Sequence, residues 1–187
     1  IDIIIDYIIE MKKSGHVRAF WETFDQAVSL ITSREVIIQP MWGVAVNAAR
    51  GAGIDCRWAD LYSEGYRGFY GGFMISDKCK GEALDKVYKF INWAYSGHFG
   101  AAISRMGFYM PMKSTQNALT KTEYDYLYEG KPAKGQVKDF FGGVIANKGD
   151  SLFGGSIAQR MGRVAVWNHF PKDAAYLAKR WTEMQSS

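Results

Sequence analysis

Apolar residues along this chain recur with two different periods, and the switches between them outline its elements. Ile4, Ile5, Ile8, Ile9 and Met11 fall at helical spacing, and Lys12-Lys13-Ser14-Gly15 supplies the basic last turn and glycine of a helix end. His16 to Phe20 reads as a short strand. Thr23 and Gln26 form a capping-box pair, after which Phe24, Ala27, Val28 and Ile31 line one helix face. Glu35-Val36-Ile37-Ile38-Gln39 is β-branched and nearly all apolar, the pattern of a strand covered on both faces. Val44 to Arg50 predicts a helix closed by Gly51-Ala52-Gly53, with strands at Ile54 to Trp58 and, longer, at Tyr66 to Ile75. Amphipathic helices follow at Glu82 to Tyr95 and at His98 to Met106, which Gly107 ends. From Ser114 to Asp150 glycines and Pro132 interrupt the pattern, leaving one short helix near Thr122 to Tyr128. Ile157 to Trp167 predicts a helix, and Pro171 opens a last one along Ala174, Leu177, Ala178, Trp181 and Met184. Strands alternating with helices predict an α/β protein with largely parallel pairing.

At 187 residues the chain has material for one sizeable core or for parts of two lobes. A net charge of +4 is scattered among acids, without the clustering that nucleic-acid binding requires, so no nucleic-acid partner is expected. No apolar run reaches membrane-spanning length, and the opening Ile1 to Ile9 carries two aspartates and no basic residue, unlike a signal peptide. The chain also lacks an initiator Met, which reads as processing, trimming or a piece of something longer. Cys56 and Cys79 stand without further metal-ligating spacing and are expected as free, mostly buried thiols.

Catalytic signatures are missing from the sequence. His16, His98 and His169 are dispersed, and no nucleophile elbow, P-loop or dinucleotide glycine motif occurs. The expectation is therefore a protein that is not an enzyme, with no cofactor and no metal site. The stretch from Arg34 to Ser76 carries a different signal. Two strand–turn–helix steps place Trp42, Glu64, Arg67, Phe69 and Tyr70 at chain breaks, and Phe108 with Tyr109 follows the glycine at a later helix end. In an open α/β sheet such breaks gather at the strands' carboxyl ends, where small ligands bind. Rings there can sandwich an apolar stem or hold a cation, or they can plug a core. Glu64 and Arg67 can meet an amine and a carboxylate, pair with each other, or face water.

Several segments carry a family resemblance: Ser33-Arg34-Glu35-Val36 through Met41-Trp42-Gly43, then Ala48-Ala49-Arg50-Gly51-Ala52-Gly53-Ile54, Glu64-Gly65, Phe90-Ile91-Asn92-Trp93-Ala94-Tyr95-Ser96 and Gly107-Phe108-Tyr109-Met110-Pro111. In order and spacing they resemble the spermidine/putrescine-type solute-binding proteins of ABC transporters. The resemblance implies a type II periplasmic-binding-protein fold of two lobes with hinge crossings, the chain lacking much of the first lobe. Residues 1–66 and 114–187 would form the second lobe and 67–113 a returning segment of the first. It further implies a periplasmic or extracellular protein that closes on a small organic solute, a polyamine-like amine or zwitterion, and delivers it to an ABC permease without entering the membrane. Trp42, Phe69 and Phe108 match the family's cleft aromatics, and Asn168 matches a ligand-contacting amide. Where the family places an aspartate against an ammonium, this chain has Gly71. The effector-binding half of a transcriptional regulator shares the two-lobe plan and is the alternative, with an enzyme on the same scaffold behind it.

Overall fold

A computed structural model describes residues 1–59, 63–152 and 154–187. In chain order the elements are α1 (Asp2–Lys13), α2 (Phe24–Thr32), α3 (Gly43–Gly51), β1 (Tyr66–Gly68), α4 (Gly81–Ala94), α5 (His98–Met106), α6 (Lys113–Ala118), α7 (Lys121–Leu127), β2 (Val137–Lys138), β3 (Val144–Ala146), α8 (Ile157–Met161), β4 (Val164–Trp167) and α9 (Ala174–Ser186). The class is mixed helix and strand, as the alternation predicts, with helix dominant. The chain divides into two compact units, residues 1–40 with 168–187, and residues 41–167.

In the first unit α1 packs on α9. Asp2 and Asp6, one helical turn apart, both bond Arg180, and the Tyr176 hydroxyl donates to Asp2 at 2.7 Å. Lys12 caps the end of α9 by donating to the Met184 and Gln185 carbonyls. The Thr23–Gln26 capping box forms as the sequence indicates, and Ala27 and Met184 are fully buried. Two expected strands are absent here. His16 to Phe20 and Glu35 to Gln39 take no strand pairing, and Ile37 and Ile38 stand 95% and 88% exposed. A β-branched run becomes a strand only beside a partner edge, and the elements of this unit are all helices.

The second unit holds the main core, where Ile145, Val137 and Ala146 of the β2–β3 hairpin pack against Tyr126, Leu127, Tyr128, Leu119 and Ala101. Its sheets are small. One is the antiparallel β2–β3 pair and the other the parallel pair β1–β4, with a register shift between Tyr66 and Arg67. Pairing is thus split between the two senses, a correction to the largely parallel expectation. The strand expected over Tyr66 to Ile75 stops at Gly68, because β4 offers only four residues to pair with. Ile54 to Trp58 is no strand either. The Cys56 carbonyl accepts instead from Arg50 at 3.1 Å, and the Ile54 N–H bonds the Ala49 carbonyl at 3.0 Å. The helix expected to run to Trp167 ends at Met161, and Val164-Ala165-Val166 crosses into β4, the β-branched pair favouring the extended form. Cys56 and Cys79 are free and half-buried, and burial pushes the Cys56 thiol up.

One ion pair in this unit carries a pH dependence. Arg105 forks onto Glu123 at 2.6 and 3.0 Å, and Glu123 also closes a capping box with Thr120 at the start of α7. Burial pushes the Glu123 carboxyl up, but the bonds from Arg105 and Thr120 outweigh it and hold the group below its ordinary value. A depressed carboxyl stabilises the fold above its unfolded pKa and loses that contribution as pH falls through the folded value. Denaturant melts are therefore expected to show stability falling below about pH 4. In Glu123→Gln that part of the acid slope disappears.

Candidate functional site

Trp58 is the residue around which the candidate site is assembled. Its ring lies so close to Gly43, the first residue of α3, that a Cβ there would stand inside the indole. Tyr66, opening β1, meets the same ring edge-on at 6.4 Å, and the Arg160 guanidinium of α8 lies 5.6 Å from its centroid. Arg160 donates to the Leu127 carbonyl at 3.0 Å, and the Ile157 N–H bonds the Tyr128 carbonyl, so α8 is fastened to the end of α7. Burial pushes the Arg160 guanidinium below its ordinary value, with the Tyr66 and Tyr126 phenols acting the other way.

Trp42 is the N-cap residue of α3, half-buried and extended at φ −74° and ψ 146°. The end of α5 packs against this same turn. Gly107 closes α5 in the left-handed region at φ +107°, and a Cβ on it would lie 3.0 Å from Val44 Cα and 3.1 Å from the Asn47 amide nitrogen. Asn47 fixes the approach by donating to the Arg105 carbonyl at 3.3 Å. Phe108, next in the chain, thereby follows a glycine seated on the first turn of the helix that Trp42 caps. Behind it the Tyr128 hydroxyl donates to the Met110 carbonyl at 3.0 Å and lies 2.8 Å from Ser104 Oγ, pinning the 108–110 turn. Phe108 and Tyr109 are 41% and 43% exposed, so neither ring is sealed in packing. Asn47, Trp58, Phe108, Tyr109, Tyr128 and Arg160 are among the residues that line a cavity of about 30 Å³.

The remaining expected positions form a second group. Phe69 and Tyr70 lie just past the carboxyl end of β1, where Tyr70 meets Trp167, the last residue of β4, edge-on at 6.4 Å. Parallel pairing puts the carboxyl ends of both strands at one edge, which is why these rings meet. Glu64 and Arg67 are exposed, and among the described residues no ion pair joins them to each other or to another group. Asn168 is exposed and belongs to the other compact unit.

Trp58 and Arg160 were not singled out by sequence reasoning. Trp58 ends an expected strand, a chain break of the same kind as that of Trp42. Arg160 is one basic residue on a short helix and gives no signal of its own. Among the described residues no cluster of three or more His, Cys, Asp or Glu is placed to hold a metal ion, and no helix is long and apolar enough to cross a membrane. Comparison with protein families, with characterised proteins and with solved structures finds no match.

Proposed function

We propose that this chain is the substrate-binding component of an ABC transporter, or a large part of one, capturing a small organic solute between lobes that close on it. The observation carrying this reading is the placement of exposed rings at element ends: Phe108 beside the turn capped by Trp42, and Phe69 and Tyr70 with Trp167 at the edge of the parallel pair. Partly exposed aromatic faces held on element ends suit reversible contact with a solute's apolar stem or ammonium. The sequence resemblance supports the same reading and supplies its type II two-lobe plan, with crossings near residues 66 and 113, a periplasmic or extracellular location and a permease partner. Further rings fit that plan. Phe73 meets Phe90 edge-on at 5.8 Å, and both are about half exposed, the kind of face that another lobe would cover.

Closure follows from differential affinity: a solute touching both lobes stabilises the shut form by the contacts that only that form makes. No bond is broken, and the solute leaves as it came. Calorimetric titration with diamines, polyamines and amino-acid-like zwitterions tests the reading. Saturable heat from at least one class, reduced at least about tenfold in Trp42→Ala and Phe108→Ala, is the expected result. Folded protein giving no heat with any of them would overturn it.

A further inference from the structure

Resting on that solute-binding reading, we infer that the solute carries a carboxylate, received in the cavity beside Phe108 by Arg160 and the indole N–H of Trp58. Arg160 is held by one bond to the Leu127 carbonyl and by the Trp58 ring beneath it. Its Nε is buried without a hydrogen-bond partner, and so is Trp58 Nε1. Among the described residues no aspartate or glutamate pairs with the guanidinium. Arg18, Arg50, Arg105 and Arg180, by contrast, each pair with a carboxylate of the chain. Arg160 itself is half-buried, with its Nε fully enclosed.

Buried donors without acceptors cost free energy, and a buried cation without an anion costs more. Such groups persist where a ligand or a water completes them. Trp58 and Arg160 both line one cavity of about 30 Å³, large enough for the oxygen end of a carboxylate and too small for a bulky headgroup. A carboxylate supplies two acceptor oxygens and the missing charge together, which a single water does not. Phe108 and Tyr109, on the same cavity and partly exposed, give the rest of the solute an aromatic wall. A guanidinium at this position repels an ammonium, so the same geometry disfavours a polyamine whose every polar group is cationic.

The test follows the Trp58 indole N–H and the Arg160 Nε–H by nitrogen-edited NMR of the whole chain, with Trp58→Phe and Arg160→Lys assigning the signals. Sodium acetate, 4-aminobutyrate and 1,4-diaminobutane are added separately, with sodium chloride as the control. Both carboxylates are expected to move both signals saturably, 4-aminobutyrate at the lower concentration, while the diamine and chloride leave them in place. In calorimetry Arg160→Gln is expected to weaken 4-aminobutyrate binding about 10- to 100-fold. Because that variant also loses the bond to Leu127, the wild-type NMR shifts decide independently of its folding. Unmoved signals with carboxylates, alongside diamine heat that Trp42→Ala abolishes, would overturn the carboxylate site and leave the solute receptor standing. Shifts from chloride equal to those from acetate would also overturn it, as a site for any anion. Unmoved signals with no heat from any compound would remove both readings.

Discussion

Replacing Arg50 by methionine is expected to destabilise the larger unit by about 3 kcal/mol. Arg50 sits on the last turn of α3 and donates to three separate segments: the Ile145 carbonyl of β3 at 2.5 Å, the Cys56 carbonyl at 3.1 Å and the Asp150 carboxylate at 3.0 Å. Methionine keeps the apolar stem, so the change isolates the bonds. The ion pair contributes little, because Asp150 is 39% exposed and solvent screens it. What dominates is the desolvation of carbonyls left without a donor, beginning with that of Ile145, a residue with no exposed surface. Asp150→Asn is therefore expected to cost less than about 1 kcal/mol, since it removes only the screened charge. Denaturant melts of the two variants check the claim, and equal losses would contradict it. The consequence reaches the candidate site, because Arg50 also holds the chain at Cys56, two residues before Trp58.

Gly107→Val is the second large effect, expected at about 2–4 kcal/mol together with loss of solute binding. Two costs combine. At φ +107° a β-branched residue is strained, and its Cβ would press on Val44 Cα at 3.0 Å and on the Gly43 carbonyl oxygen at 3.3 Å, both backbone atoms that cannot swing away. Relief requires the end of α5 to lift from the start of α3, which separates Phe108 from the turn that Trp42 caps. Gly71→Ala is the control, having nothing within 4 Å of its Cβ position and no left-handed φ. Stability and binding should fall together in the first variant and stay near wild type in the second.

Local signals in the sequence carried as far as local physics reaches. The Thr23–Gln26 box, the α4 stripe and the glycine ending α5 all depend on neighbours three or four residues away, and each forms where its pattern indicates. The β-branched content of Glu35 to Gln39 favours a strand, and the same was expected of Ile54 to Trp58, but pairing depends on a remote edge that neither segment reveals. Val164 to Trp167 shows the reverse, a stretch read as helix and drawn into β4 by Tyr66 to Gly68, almost a hundred residues earlier. The main core lies largely in 114–150, where glycines broke the periodicity. Its packing comes from a hairpin of two- and three-residue strands and from Tyr126 to Tyr128, segments too short to show a period. Trp42 and Phe108 stood out because they flank helix ends. Arg160 did not, since what distinguishes it is an Nε buried without an acceptor, which only packing exposes.

Whether the exposed rings grip a solute is decided by calorimetry on four proteins: wild type, Trp42→Ala, Phe108→Ala and Phe141→Ala, each titrated with 4-aminobutyrate and with 1,4-diaminobutane. Phe141 is an 82% exposed ring of the larger unit, outside both aromatic groups, and controls for the loss of any surface aromatic. Saturable heat with one solute is expected in wild type and Phe141→Ala, with binding at least about tenfold weaker in the other two. Equal binding in all four proteins, or none in folded wild type, would contradict it.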